Sequence, residues 1–423
     1  MVERVVVVGN GLIGSAAGRR LAEMGHDVVV VGPAEPRDHS RHTGVFSSHY
    51  DEGRLVSAYS ADPAWTWITR RAIDAFADLQ ARSGVAFHHP VGRLSLLASP
   101  SVAGLRSWAG RVDPSGGDLR VWSATDDAWR ERFPYLEVPS DLALLHEGSP
   151  AGYVNPRRLL RAQNVVAERH GARFVGDRVV SVISRADGVT VATAGGELVA
   201  ADRVIVAAGA FTNFGDLLPE PIPLRLKTET TVWAEVSDAT ANACASMPAI
   251  TFDVDDPDLD DIYLAPPIRY PDGRCRIKMG GNTANESWPA TLDEVQAWFR
   301  SGESDRDLEP MERALRKLLP GIELGDVTTH RCIVAYTPSG YPTIDGAPGD
   351  AHGRIVVATG GNGTGAQGSD TLGSLAAGLV HDGSWPDELD RSVFGARRRW
   401  EAPAARLSNA QRRARGDQSA DTA

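Results

Sequence analysis

The chain has 423 residues, of which 42% are hydrophobic and 23% charged, and its formal net charge is −11. These values are ordinary for a soluble globular protein of two or three domains. An acidic chain without a basic face is not expected to bind nucleic acid, and no apolar run is long enough to span a membrane. The three cysteines, Cys244, Cys275 and Cys332, are scattered and odd in number, which excludes a disulfide framework and a zinc spacing. A strand pattern starts almost at once and leaves no room for a signal peptide, so we expect a cytoplasmic protein.

The first 32 residues predict a dinucleotide-binding βαβ unit. An apolar run at residues 5–8 leads into a glycine turn, a helical pattern covers residues 15–24, and a second apolar run covers residues 28–31. The turn that would meet a pyrophosphate consists of Gly9, Asn10, Gly11, Leu12, Ile13 and Gly14. Its glycines allow a tight turn, close approach of a phosphate and close helix–strand packing, and the helix N-terminus favours the negative charge. Gly32 stands where a ribose-binding acid normally ends the second strand, and Glu35 is a candidate substitute.

The next stretch alternates between helix and strand patterns. We predict a polar loop at 33–53, a helix over 65–82 ending at Gly84, a strand over 87–97 and mixed, turn-rich chain from 100 to 150. A second helix over 155–170 opens with Asn155 as cap and Pro156 at its first position. Short strands are predicted at 178–184, 189–193 and 203–207.

From residue 221 the pattern is mostly that of strands. These are predicted over 228–236, 262–265 and 274–279, with helices over 292–301 and 310–319. A strand over 354–358 precedes a glycine-rich loop and a helix over 369–380, and an arginine-rich tail, expected to be solvated and disordered at its end, follows Phe394. The predicted fold is α/β (α+β overall): a Rossmann-like nucleotide domain (1–84, 150–220, 326–385), a discontinuous β-rich substrate domain (85–149, 221–325) and a tail (386–423). A cleft between two such domains would hold cofactor and substrate.

The glycine-rich loop at 360–368 predicts a second contact with a cofactor. Its helix N-terminus would present unpaired amides to an anion such as reduced flavin. The alternative is a loop that only packs, but five glycines within nine residues favour close approach to a flat or anionic group.

With this loop the chain resembles the FAD-dependent D-amino-acid-oxidase superfamily, and within it the sarcosine oxidase and N-methyltryptophan oxidase group. The resemblance reaches residue 385 and rests on Gly9–Gly14, on residues 203–210 and on the stretch 50–54. It implies FAD as the cofactor. The further positions that it implies as cofactor contacts are Arg41, His42, Thr43, Gly44, Val179, Ala208, Gly209, Gly363, Thr364, Gly365 and Gln367.

Two further positions match the family more specifically. Cys332 lies six residues before Pro338, the spacing of the cysteine that the group joins covalently to the flavin; the alternative is a buried, unreactive cysteine. Lys278 matches the lysine that the family places over the flavin to activate dioxygen, and the alternative is an exposed strand lysine. Because Ile277 and Met279 occupy the opposite strand face, Lys278 would point away from them.

The sequence departs from the family where the substrate carboxylate would bind. Residues 45–49 supply no arginine, Gln367 stands at the lysine position and Thr364 at that of a histidine. Either another arginine, such as Arg269 or Arg331, reaches a carboxylate, or the substrate has none there. Further residues expected to line the substrate site are His49, Tyr50, Tyr263 and Tyr336.

The resemblance implies an FAD-dependent amine oxidase that converts a secondary or cyclic amine to an imine and reduces O2 to H2O2. Two alternatives are a dehydrogenase of the same fold that uses another electron acceptor, and a non-catalytic dinucleotide-binding protein. The expected partners are a small amine and dioxygen, in a monomer or small homo-oligomer. We expect no metal at His39, His42 and His49, nor calcium at residues 253–261, because neither stretch has the required ligand spacing.

Overall fold

The computed structural model describes residues 2–98, 101–254 and 256–400. Within these residues the helices are α1 (Leu12–Glu23), α2 (Pro63–Ser83), α3 (Val102–Val112), α4 (Asp127–Arg132), α5 (Pro156–Arg169), α6 (Asp238–Ala243), α7 (Leu292–Arg300), α8 (Leu308–Leu318) and α9 (Ser369–His381). Short 3₁₀ turns lie at His39–Arg41, Gly209–Phe211, Glu303–Asp307 and Arg391–Phe394.

The strands form two large and two small sheets. In chain order they are β1 (Arg4–Val8), β2 (Asp27–Val31), β3 (Arg54–Val56), β4 (His88–His89), β5 (Arg93–Leu97), β6 (Leu119–Ser123), β7 (Ala143–Glu147), β8 (Gly152–Val154), β9 (Arg173–Val175), β10 (Val179–Arg185), β11 (Gly188–Thr193), β12 (Leu198–Ala201), β13 (Arg203–Val206), β14 (Arg225–Val236), β15 (Ala249–Asp253), β16 (Leu259–Arg269), β17 (Cys275–Thr283), β18 (Val327–Tyr336), β19 (Thr343–Gly346) and β20 (Ile355–Thr359).

The first large sheet has the order β19-β20-β13-β1-β2-β9 and is parallel except for β19. Val5 and Val7 pack toward α1 and α9 on one face, whereas Val6 and Val8 pack toward β10 and β11 on the other. A parallel sheet covered on both faces requires continuous apolar strands, which explains the valine runs of β1 and β2. This is the predicted Rossmann-like unit, and the predicted fold class is confirmed.

The second large sheet has the order β18-β14-β17-β16-β15-β5-β7-β6. One face packs with α8 in an apolar core that includes Val232, Ile277 and Met279. The alternate residues of the same strands, among them Thr231 and Lys278, face a cavity. One face of this sheet therefore belongs to an apolar core, and the opposite face forms a polar wall of the cavity. Its edge strand β18 pairs with β14, so the chain leaves this sheet after Tyr336.

Local signals set several element boundaries as predicted. The Asn155 side chain accepts a hydrogen bond from the backbone N–H of Arg158 at 3.0 Å, with Pro156 at the first helical position. Gly84 ends α2 with φ 72°. Residues 100–150, predicted only as mixed, form α3, β6, α4 and β7, and the two strands extend the eight-stranded sheet.

The chain after α9 continues to pack on the parallel sheet. Phe394 is 1% exposed and contacts Trp385 and Tyr341. The expected disordered end of the tail lies outside the described residues. Among the described helices, none is both long and apolar enough to cross a bilayer.

Candidate active site

A single continuous cavity of about 820 Å³ lies between the glycine turn after β1 and the polar face of the eight-stranded sheet. Its wall combines the turn after β1, the end of β13, the glycine loop before α9 and strands β14 to β18. The segments predicted to bind a cofactor therefore meet those predicted to bind a substrate.

The glycine turn fits a dinucleotide pyrophosphate. A Cβ on Gly9, at φ 108°, would lie 2.4 Å from the Ala207 carbonyl oxygen, and one on Gly14 would lie 1.9 Å from the Gly9 oxygen. No side chain caps α1 at Gly11, so its first amides are open to a ligand. The Asn10 Oδ1 atom is also buried without a hydrogen-bond partner. Gly9, Asn10, Gly11, Leu12 and Ile13 line the cavity, whereas Gly14 packs behind the turn.

The end of β2 lacks the usual ribose-binding acid for a steric reason. A Cβ on Gly32 would lie 2.4 Å from the Asn10 backbone nitrogen. The candidate substitute, Glu35, receives two hydrogen bonds from Arg157 at 2.6 and 2.8 Å and does not line the cavity. Burial opposes ionisation of Glu35, but the hydrogen bonds and charge of Arg157 outweigh it and lower its pKa to about 2. Arg157 and Arg178 line the cavity at this end.

The glycine loop before α9 folds back on itself and is hydrogen-bonded to β18. A Cβ on Gly365 would lie 2.8 Å from the Gly361 Cα atom. Asn362, at φ 50°, donates its N–H to the Ala335 oxygen at 3.0 Å and accepts the Thr337 N–H at 3.0 Å. The open N-terminus of α9 follows without a side-chain cap. Seven residues that the sequence predicts as cofactor contacts line the cavity here or at the ends of neighbouring strands: Val179, Ala208, Gly209, Gly363, Thr364, Gly365 and Gln367.

The early loop contributes different residues from those predicted. Arg41, His42, Thr43 and Gly44 do not line the cavity; the residues of the 33–53 loop that line it are Pro33, His39, Val45, Phe46, Ser47, Ser48, Tyr50 and Asp51. A ring nitrogen of His42 is 3.0 Å from the Val45 oxygen, and Phe46 stacks on Phe299 with ring centroids 3.9 Å apart. The side chain of His42 is therefore used inside the loop.

Lys278 faces the cavity, as the strand alternation predicts. Its ammonium is buried and forms an ion pair with Asp51, and it also donates to the Gly53 oxygen at 3.3 Å. Asp51 forms a second ion pair with Arg54. Burial lowers the pKa of Lys278, and the charge of Arg54 acts in the same direction. One carboxylate thus faces two cationic side chains, which favours an anionic ligand at this point.

Cys332 lines the cavity from β18, directly opposite Glu229 of β14. Burial raises the pKa of its thiol. The charge of Arg54 and, more weakly, that of Lys278 oppose this effect, whereas the Glu229 carboxylate adds to it, so the pKa of the thiol remains raised.

Tyr263 crosses its neighbouring strand to reach Glu229. Its hydroxyl donates to a Glu229 carboxylate oxygen at 2.8 Å. The ring passes over Gly280 of β17, where a Cβ would lie 2.4 Å from the tyrosine Cζ and Oη atoms. Burial and the Glu229 carboxylate raise the pKa of Tyr263, so the phenol is neutral and its proton is held by Glu229.

Of the three remaining residues expected to line the substrate site, the two tyrosines line the cavity and the histidine does not. Tyr336 and Tyr50 line the cavity, and burial raises the pKa of Tyr50 to about 12. His49 does not line it; one ring nitrogen is 2.7 Å from the Ser47 hydroxyl oxygen, and burial lowers its pKa to about 4. His49 is therefore a neutral residue behind the wall.

The two arginines considered for a substrate carboxylate are separated by the fold. Arg269 pairs with Asp238 on the surface and does not line the cavity. Arg331 lines it, with one N–H donated to the Phe299 oxygen at 3.3 Å. Gln367 accepts the Ser57 backbone N–H at 3.1 Å through its side-chain oxygen, which leaves its NH₂ group as a neutral donor.

Asp51, Glu229 and Arg93 also line the cavity and were not predicted as site residues. Asp51 lies in the stretch 50–54 that resembles the family. Its contact with Lys278 could not be predicted, because the two residues are brought together only by the tertiary structure. In the described parts of the chain, no group of His, Cys, Asp or Glu is arranged to hold a metal ion.

The chain matches the DAO family, described as FAD dependent oxidoreductase, over residues 4–379. It is 25% identical over 410 residues to monomeric sarcosine oxidase of Bacillus sp. (strain B-0618), covering 93% of this chain and 95% of that protein. It is 24% identical over 398 residues to N-methyl-L-tryptophan oxidase of Yersinia pestis (strain Pestoides F), covering 93% and 98%.

Similarity in fold agrees with this match. The structure of NikD, described as an unusual amino acid oxidase essential for nikkomycin biosynthesis, aligns with a TM-score of 0.73 at 20% identity, over 93% of this chain and 97% of that one. Together with the glycine turn and the second glycine loop on one cavity, the match over residues 4–379 shows that the chain belongs to the DAO family of FAD-dependent oxidoreductases.

Proposed function

We propose that this protein is an FAD-dependent amine oxidase. It oxidises the C–N single bond of a secondary or cyclic amine to an imine and reduces O2 to H2O2. The amine loses two electrons and two protons, and dioxygen takes up the same number. The imine hydrolyses in solution, or is the product when it is cyclic. Two relatives that this chain resembles along most of their length are named monomeric sarcosine oxidase and N-methyl-L-tryptophan oxidase, and this similarity supports the proposal.

The observation that carries the proposal is the buried cation of Lys278 in the cavity that the two glycine loops share. When bound, FAD supplies the two-electron acceptor for the amine and passes the electrons to dioxygen. The Lys278 ammonium stabilises the negative charge that develops on oxygen, and Asp51 holds the ammonium in place. Because the site is buried, this stabilisation is stronger than it would be in water.

The glycine loops and the cavity wall bind and orient the reactants. The open amides of α1 would hold the pyrophosphate, and the backbone of the glycine loop before α9 would lie against the flavin ring. Tyr263, Tyr336 and Gln367 would form the wall against which the amine lies. No side-chain base is required, because the neutral amine already carries the lone pair that drives C–H cleavage.

We propose further that Cys332 joins the cofactor covalently as a thioether. Its position on the wall of the cavity that the two glycine loops share supports this assignment. Forming this thioether would break the S–H bond of Cys332 and one C–H bond of the cofactor, and dioxygen would take up the two electrons and two protons released, giving H2O2. We also propose a cytoplasmic monomer or small homo-oligomer.

The test is to purify the protein, record its visible spectrum and precipitate it with acid. A flavin spectrum is expected, with the yellow colour in the pellet for the natural chain and in the supernatant for Cys332→Ser. Colour in the supernatant for both would remove the covalent assignment. An amine screen that yields peroxide supports the oxidase, whereas reduction of an artificial dye without peroxide would replace it with a dehydrogenase. A colourless protein would contradict a flavoenzyme.

A further inference from the structure

Arg93 is a cavity-lining residue whose guanidinium forms no ion pair within the described part of the chain. It begins β5 and lies between Ala249 of β15 and Glu147 of β7. Within the described residues, its guanidinium makes one hydrogen bond, a long one from a terminal nitrogen to the Thr251 hydroxyl at 3.3 Å. Its Nε atom is buried without a partner, and the guanidinium forms no ion pair with any described carboxylate.

Glu147, the acidic residue opposite Arg93 on β7, accepts hydrogen bonds from other residues. One Glu147 oxygen accepts the Ser57 hydroxyl at 2.6 Å and the other accepts the Ala58 backbone N–H at 2.6 Å. Burial is the main influence on Arg93 and lowers its pKa, while the charge of Glu147 only partly opposes this. A buried charge that lacks a paired partner is costly, which indicates a partner that arrives with the ligand.

The register of the sheet places Arg93 far from Lys278. Lys278 lies opposite Ala265 on β16, and Arg93 lies opposite Ala249 on β15. Three strand spacings therefore separate them, roughly 14 Å between Cα atoms. Under the proposed function, the reacting C–N bond lies near Lys278, so a group bound at Arg93 is several bonds away from it.

We propose that Arg93, with the Thr251 hydroxyl, binds a carboxylate of the substrate that is distant from the reacting C–N bond. The substrate is then an elongated amine with an acidic group at its far end. A guanidinium donates two parallel hydrogen bonds to a carboxylate, and its Nε–H is one of the donors that suit this geometry. This inference rests on the proposed amine oxidase. It places the anion on β5, away from the neutral Gln367.

The test measures binding to the flavin-loaded enzyme without turnover, using sulfur analogues in which a thioether replaces the amine. The probes are 5-(methylthio)pentanoate, methyl pentyl sulfide of matched length, and the short acid (methylthio)acetate. Dissociation constants come from calorimetry and from the flavin difference spectrum. The long acid should bind about 10- to 100-fold more tightly than the neutral sulfide, as expected for a charge-assisted hydrogen bond of about 1.5–3 kcal/mol.

Arg93→Gln should remove this preference, and Arg93→Lys should restore part of it, with flavin content unchanged. The matched control is Arg269→Gln, which removes a surface arginine outside the cavity and should keep the preference. An unchanged preference in Arg93→Gln, its loss in Arg331→Gln instead, or equal Arg93 dependence for the short acid would overturn the proposal. These results do not depend on turnover, so failure here is distinguishable from failure of the oxidase assignment, which would show as absent flavin or absent peroxide.

Discussion

The ammonium of Lys278 and the carboxylate of Asp51, 227 residues apart in the chain, form an ion pair inside the cavity. Lys278 comes from the middle of β17, and Asp51 from the loop before β3. Arg54 shares the same carboxylate, and the Tyr270 hydroxyl donates to it at 3.2 Å. Asp51 therefore connects the early loop to the polar face of the eight-stranded sheet and fixes the cation to which we assign the reaction with oxygen.

Removing the Lys278 charge should slow the reaction with oxygen. Lys278→Met removes the cation that stabilises developing negative charge, so we expect the rate constant of flavin reoxidation to fall by about 10²–10³-fold. Anaerobic reduction by the amine should change much less. Stopped-flow absorbance measures both steps, and Lys317→Met, on the exposed face of α8, is the matched control. Reoxidation at the natural rate would show that Lys278 has another role.

Asp51→Asn should shift the pH dependence of the oxygen reaction. Burial already lowers the pKa of Lys278, and loss of the neighbouring carboxylate would lower it further. Lysine is charged below its pKa, so the reoxidation rate should begin to fall at a lower pH in the variant than in the natural chain. The measurement is the reoxidation rate constant across a pH series. A shift to higher pH, or none, would contradict the positioning role of Asp51.

Gly280→Ala should destabilise the protein through Tyr263. The added methyl group would collide with the phenol ring, and overpacking of this kind costs about 1–3 kcal/mol of unfolding free energy. In a Tyr263→Ala background the same substitution should cost much less, because the collision is removed. Denaturant unfolding of the four proteins in this cycle gives the coupling energy. Equal costs in both backgrounds would mean that Tyr263 does not lie over Gly280.

Asp370→Ala should be destabilising, because it removes one of the two carboxylates that pair with the buried Arg19 and leaves Glu23 as the other. Arg19 and Asp370 form an ion pair at 2.7 Å between α1 and α9, and Gln163 of α5 donates to the same Asp370 carboxylate at 2.8 Å. Because Glu23 still compensates the charge of Arg19, the expected cost is that of lost buried hydrogen bonds to a charged group, about 1.5–3 kcal/mol. The control is Asp78→Ala, whose side chain is 67% exposed and pairs with Arg82 at 3.2 Å; it should cost at most about 1 kcal/mol. Comparable losses for the two variants in denaturant unfolding would contradict the buried network.

Local chemistry made the nucleotide domain predictable from the sequence. The Gly9–Gly14 turn, the valine strands and the Asn155-Pro156 helix start each follow from steric or hydrogen-bonding needs of a few neighbouring residues. The orientation of Lys278 followed from strand alternation in the same way. The short helices and strands between residues 100 and 150 were not predicted individually. Their strands are stabilised by pairing with distant parts of the chain, and no clear local repeat of apolar residues marks them in the sequence.

Contacts made by the non-sequential order of the second sheet could not be predicted. The order β18-β14-β17-β16 places Cys332 beside Glu229 and leads Tyr263 across Gly280, and nothing local in the chain specifies that order. The same holds for Arg93, because only the fold shows that no carboxylate among residues 2–98, 101–254 and 256–400 forms an ion pair with it. The cofactor contacts of the 33–53 loop were assigned by resemblance to residues 41–44. The residues of this loop that line the cavity are neighbours of these four.

The measurement that tests the amine oxidase assignment most directly is a two-stage absorbance experiment on the purified flavoprotein. The enzyme is first mixed with candidate amines without oxygen, and air is then admitted. The account predicts that a secondary or cyclic amine bleaches the flavin band, that oxygen restores it, and that one H2O2 forms for each flavin reoxidised. Bleaching that oxygen does not reverse, or a flavin that no amine reduces while another class of substrate does, would contradict it.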